Sequence, residues 1–114
     1  MNHEQNIARL AGILKKNPLD SFAKFALALE LLKRDEVSKA RLLFESVRTQ
    51  DPGYLGVYYH LGKLYEKIAL PEKAQTAYLD GIELAEKTGN QKTLLELKEA
   101  LQQIIPEQGH EKSV

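Results

Sequence analysis

Apolar residues return every three or four positions along most of the chain, the spacing of one face of an α-helix. Ile7, Leu10, Ala11 and Leu14 make the first such stripe, and Leu94, Leu97, Leu101 and Ile104 the last. Alternating β-branched runs are missing, and Ala, Leu, Glu, Lys and Gln, all good helix formers, dominate. Proline and glycine divide the pattern at Asn17-Pro18, Asp51-Pro52-Gly53, Leu70-Pro71, Thr88-Gly89-Asn90 and Ile105-Pro106. Six helices are therefore predicted, over about residues 4–16, 21–34, 36–50, 54–68, 71–88 and 91–105. Asp20, Asp35 and Asn90 are the expected N-caps, because their side chains can accept hydrogen bonds from the free N–H groups of a first turn. Pro18 stops the first helix by pushing the residue before it out of the α region. Pro71 suits a first helical position, and Gly89 can take the left-handed conformation of a C-terminal cap.

The pattern also repeats as a whole. Leu27-Ala28-x-x-Leu31 returns 34 residues later as Leu61-Gly62-x-x-Tyr65, Ala40 as Ala74, and Phe44 as Tyr78. Pro18 and Pro52 are one period apart as well. A period of this length on helical sequence means stacked helical hairpins, each leaving a face that the next one covers. The repeated residues have a mechanical reason: helices approach closely only where a small side chain sits at the crossing. Ala28, Gly62, Ala40 and Ala74 are placed for that, and Leu27, Leu31, Phe44, Leu61, Tyr65 and Tyr78 fill the space between.

These residues resemble the tetratricopeptide repeat, in a small bacterial-type member. The family's signature is W-x2-L-G-x2-Y, then A-x3-F, then P. The second unit reads Tyr58-x2-Leu61-Gly62-x2-Tyr65, then Ala74-x3-Tyr78; the first reads Lys24-x2-Leu27-Ala28-x2-Leu31, then Ala40-x3-Phe44, then Pro52. Lys24 replaces the opening aromatic, and Glu86 stands where the second proline belongs. The resemblance implies an all-α, right-handed superhelical stack of antiparallel hairpins. One domain over 1–106 is expected: a half-repeat helix at 4–18, repeats at 20–53 and 54–88, and a capping helix at 90–105. The first helix is similar to the second half of a preceding unit, since Leu10, Ile13 and Pro18 fall one period before Phe44, Val47 and Pro52. The tail, residues 107–114, has no apolar anchor and is expected to be mobile.

Composition narrows the function classes. Hydrophobic residues make up 43% and charged ones 28%, and the 16 basic side chains balance the 16 acidic ones. No basic face pulls on nucleic acid, and no apolar run reaches the roughly 20 residues that span a bilayer. There is no cysteine, so disulfides, thiolate zinc sites and cysteine nucleophiles are excluded. The opening Met1 to Asn6 is polar, no signal peptide is expected there, and the expected location is cytoplasmic. His60 is the one histidine away from the ends, with no carboxylate in fixed sequence reach to orient it. Metal-ligand spacing, nucleophile elbows and phosphate-cradling glycine loops are absent. Neither an enzyme nor a cofactor or metal is expected.

In the family the first helix of each unit lines a concave groove for a peptide or protein. Projected onto this chain, the groove holds Phe22, Phe25, Leu29, Leu32 and Lys33, then Gly56, Tyr59, His60, Lys63 and Lys67, closed by Asn90, Thr93, Leu94 and Leu97. Its lysines suggest an acidic preference. Family members that grip a C-terminal carboxylate, however, use lysine, asparagine and arginine where this chain has Phe25, Leu29, His60, Asn90 and Leu94, so the resemblance implies an apolar or amphipathic segment. The helix over residues 21–34 is apolar nearly all round and needs cover on more than one side. Two readings stay open: the first helix supplies that cover, or Phe22, Phe25, Leu29 and Leu32 form a patch for a partner or a second copy of the chain, giving a homodimer.

Overall fold

Each predicted helix forms, and its ends follow from local chemistry. The computed structural model describes residues 2–105, and the expected tail lies outside them. The helices are α1 (His3–Lys16), α2 (Ser21–Lys33), α3 (Val37–Gln50), α4 (Gly56–Lys67), α5 (Pro71–Thr88) and α6 (Gln91–Ile104). No strand occurs among the described residues. Asn2 opens α1 with a reciprocal capping box, accepting from the Gln5 N–H at 2.8 Å while its own N–H donates to Gln5 Oε1 at 3.3 Å. Asp20 accepts from the Ala23 N–H at 2.9 Å, and Gly89 ends α5 in the left-handed region at φ 73°.

The turn between α2 and α3 departs from expectation. Asp35 does not cap α3; it lies in the left-handed region at φ 59°, and Glu36 takes the cap position without a side-chain bond. The chain there is closing α2: the Asp35 N–H donates to Leu32 O at 2.9 Å and the Glu36 N–H to Leu31 O at 2.9 Å. These bonds satisfy carbonyls that the end of a helix leaves open. One period on, Ala69 does the same at φ 61°, with the Leu70 N–H donating to Tyr65 O at 2.8 Å. The repeat thus extends into the backbone of the turns. The start of α4 is also later than the pattern suggests. Tyr54 and Leu55 precede it, and bonds from Val57 to Tyr54 O and from Tyr58 to Leu55 O wind a tight lead-in turn without a side-chain cap.

α2 pairs with α3 and α4 with α5; α1 packs on α2, α3 bridges to α4, and α6 closes on α5. The result is an elongated stack of 56 × 30 × 23 Å. Ala28, Ala40, Phe44, Leu61, Tyr65, Ala74 and Tyr78 are wholly buried or nearly so, with Leu27, Leu31 and Tyr58 close behind; Pro52 stays on the surface. Gly62 sits at a crossing with no room for a side chain: a methyl group on it would overlap the Tyr78 ring. Gly81, the period partner of Val47, is nearly as tight, since its Cβ would sit 2.7 Å from Cβ of Tyr58.

Two polar devices fasten the helices, one within the first hairpin and one between the hairpins. Lys24, standing where the repeat signature has an aromatic, donates to Ser46 Oγ at 2.8 Å and Gln50 Oε1 at 2.6 Å on α3. Gln50 then donates to Leu19 O at 3.0 Å, so the lysine becomes part of a polar clasp across the first hairpin. On the opposite side, the Tyr65 hydroxyl donates to Glu45 Oε2 at 2.5 Å, and Arg41 meets the same oxygen at 3.0 Å. Burial works to raise the Glu45 carboxyl, but the Tyr65 hydroxyl and the Arg41 guanidinium outweigh it and hold it below the usual range. Burial, with the neighbouring carboxylate, pushes Tyr65 itself up to about 12.

Candidate functional site

α2 and α4 meet through a ladder of rings. The Phe25 ring lies 5.2 Å from Tyr54, 5.3 Å from His60 and 5.8 Å from Phe44. His60 stacks nearly parallel on Phe44 at 5.9 Å, and Tyr59 meets it edge-on at 5.5 Å. The quadrupoles of the rings favour such tilted and offset contacts. Burial among these rings lowers the pKa of His60, because the charged imidazolium would lose its water. Phe25 and His60 therefore anchor the row as well as face it.

Beyond Tyr59 the row opens. Tyr59, His60 and Lys63 of α4 face Glu96, Glu99, Ala100 and Gln103 of α6 across a cleft of about 400 Å³. The family resemblance projects Asn90, Thr93, Leu94 and Leu97 onto that wall. Asn90 caps α6 as expected, accepting from the Thr93 N–H at 3.0 Å, so its side chain is engaged within its own helix. Leu94 is only 8% exposed and Leu97 fully buried, with the Leu97 methyl groups about where a side chain at Gly81 would need to be. The leucine stripe is committed to the core, so the neighbouring positions of α6 turn toward α4.

The remaining projected groove residues are spread out. Leu29 and Leu32 are half-buried against the core. Phe22 is 66% exposed and Leu19, just before it, 72% exposed, at the start of α2. The rest of α2 is covered from two sides, by α3 and by α1, whose Leu10 is buried and whose Ile7, Ile13 and Leu14 pack on the core. Asn6 of α1 also donates to the buried Glu30 at 3.5 Å.

Charge pairing changes the chemistry expected of the row. Lys33 lies 3.5 Å from Glu30, Lys63 3.9 Å from Glu66 and Lys67 3.4 Å from Asp35. Glu66 also accepts from the Tyr78 hydroxyl. Each projected groove lysine thus has a carboxylate of its own chain beside it. Glu96 and Glu99, by contrast, make no ion pair or hydrogen bond among the described residues, and neither do the Tyr59 hydroxyl, the His60 ring nitrogens or the Gln103 amide. The two glutamates are the feature of the cleft that sequence reasoning missed. Their spacing of three on α6 is the signal the sequence offers for them.

A second cleft of about 300 Å³, lined by Arg48, Tyr65, Glu72, Lys73 and Thr76, lies between α3 and α5. Arg41 and Lys73 stand over the Tyr65 ring at 5.6 and 5.8 Å, so this region reads as a hairpin fastening. Among the described residues no three His, Asp or Glu side chains gather as metal ligands, and no helix is long and apolar enough to cross a membrane.

A stack of antiparallel helical hairpins in a 34-residue register, with small residues at the crossings, defines an α-helical repeat protein. No family model matches the chain, and no curated protein does. Solved structures do. A crystal structure of a tetratricopeptide repeat domain protein from Salinibacter ruber is 47% identical, over 75% of this chain and 94% of that one, with a TM-score of 0.72. A solution structure of a tetratricopeptide repeat domain protein from the same organism is 46% identical, over 77% and 89%, with a TM-score of 0.73. The crystal structure of MamA, at 18% identity over 93% and 69% and a TM-score of 0.65, is alike in fold. The chain belongs to the tetratricopeptide repeat family. In general terms it is a protein-interaction module.

Proposed function

We propose that this protein is a non-enzymatic adaptor or assembly factor that binds a peptide or protein segment in the groove along α2, α4 and α6. Its place of action is the cytoplasm, and it needs no cofactor, nucleic acid or membrane insertion. Residues 1–106 act as one binding unit, with 20–53 and 54–88 as repeats and 90–105 as the cap. The observation that carries this reading is the cleft between α4 and α6, where Tyr59, His60 and Gln103 present polar atoms with no partner among the described residues. Phe25, Leu29, Lys33 and Lys67 belong to the outer reaches of the same surface. Catalysis is disfavoured because His60 is held among rings, with no carboxylate orienting it among the described residues.

The test uses two variants that alter the cleft from opposite walls. Tyr59→Ala removes an aromatic wall, and Gln103→Trp fills the space from an exposed position. Both should abolish cross-linking to the partners that the unaltered chain captures, with helicity kept. Capture that survives both substitutions would remove the groove from consideration.

A second reading rests on a different observation. Leu19 and Phe22 form an exposed apolar corner at the α1–α2 end of the stack, and self-association would bury it. In this reading the homodimer forms at that corner, since α1 already covers much of α2.

A further inference from the structure

We infer that the segment received by the cleft between α4 and α6 is basic, a peptide carrying lysine or arginine next to an apolar or aromatic residue. This rests on the groove reading above and specifies its partner.

Three features of the cleft agree. First, its one lysine is not a free cation: Lys63 Nζ lies 3.9 Å from Glu66 and 5.6 Å from the centre of the Tyr59 ring, folded back onto α4. The same holds further along the row, where Lys33 and Lys67 are matched by Glu30 and Asp35. Second, the opposite wall carries two carboxylates, Glu96 and Glu99, both exposed and both without an ion pair among the described residues. Side chains three apart on a helix share a face, so both negative charges project along one side of the cleft. Third, the α4 wall is aromatic. Tyr59 and His60 offer apolar ring surface and hydrogen-bonding atoms that are unpaired among the described residues, the kind of surface on which the stem of a lysine or a planar guanidinium can rest while its charge reaches a carboxylate. An acidic segment would meet Glu96 and Glu99 with like charge and find the lysines already engaged. Charge complementarity of this kind sets which partner is admitted more than how tightly it is held.

The experiment selects a random peptide library displayed on phage against the intact chain, then measures the selected peptides, fluorescently labelled, by anisotropy. Three variants accompany the unaltered protein: Glu96→Lys with Glu99→Lys, Tyr59→Ala, and Gln103→Trp. Glu96, Glu99 and Gln103 are exposed, so those substitutions leave the core untouched, and thermal melts verify it. The expected result is enrichment of lysine and arginine over aspartate and glutamate. Affinity should fall roughly tenfold in the double charge reversal, weaken with added salt, and be lost in Gln103→Trp. Selected peptides that are acidic or uncharged, or basic peptides indifferent to the charge reversal, would overturn the basic partner. If Gln103→Trp and Tyr59→Ala still abolish their binding, the groove reading survives that result. Peptides untouched by either cleft variant would overturn the groove reading and this inference together, and failure to enrich any peptide would overturn the inference.

Discussion

At the scale of single residues, the fold turns on where a side chain is missing. Gly62 faces the Tyr78 ring with no room for a methyl group, and Tyr78 in turn donates its hydroxyl to Glu66. Neither the ring nor the helix behind it can give way cheaply in a close-packed interior. Gly62→Ala should therefore destabilise the protein by about 1–3 kcal/mol, read as a lower urea midpoint. His60 illustrates the opposite constraint, a polar group kept among rings. Its folded pKa is lowered by burial from an ordinary value of 6.5. A group depressed in this way contributes its stability above the unfolded pKa and loses it as pH falls through that value toward the folded one. The melting temperature should therefore decline between about pH 7 and pH 5, and His60→Phe should flatten that decline, as thermal melts across this range would reveal. Glu45, also lowered, acts in a separate window at and below the ordinary carboxylate value of 4.5.

At the scale of elements, the turns repeat as faithfully as the helices. Asp35 and Ala69 hold the same left-handed conformation in the two hairpins, and in both the following residue donates back to the last turn. Sequence alone suggested a different role for Asp35, because aspartate before a helix is ordinarily an N-cap. The carbonyls at the end of α2 decided otherwise, since closing that helix puts Asp35 in the left-handed region, whereas an N-cap needs an extended backbone. Aspartate tolerates the left-handed region; alanine does not, at a cost of roughly 1–2 kcal/mol. Ala69 is exposed and loses no packing when changed. Ala69→Gly should thus stabilise the protein by about 0.5–1 kcal/mol in urea unfolding, the remainder being offset by glycine's extra freedom in the unfolded chain. The clasp from Lys24 to Ser46 and Gln50 is likewise an element-level device. It replaces the aromatic of the repeat signature with hydrogen bonds between α2 and α3.

At the scale of the whole molecule, α1 and α6 decide which surfaces remain. α1 places Leu10 over α2 and α6 places Leu97 against α5, so the faces left by the two hairpins are covered at both ends. Leu19 and Phe22 escape that cover. If the corner is an interface, light scattering across the micromolar range should give twice the chain mass, and Phe22→Ser should return the monomer; a monomer throughout would dispose of the self-association reading. What the sequence by itself determined is the register. Residues such as Ala28, Ala40, Gly62 and Ala74 recur at 34 because two helices cannot cross closely over large side chains, and that steric fact is written in one dimension. Lys33 beside Glu30 and Lys63 beside Glu66 were also within reach of a spacing argument, each being three residues apart on one helix. Lys67 beside Asp35 was not, since it joins α4 to the turn after α2. Nor was the turn of α6 that sends Leu94 and Leu97 inward and leaves Glu96 and Glu99 facing Tyr59. A stripe of leucines says that a helix has a buried face, but the angle at which that face docks depends on the shape of the surface receiving it. Only the packed tertiary structure supplies that shape, and with it the charge of the cleft.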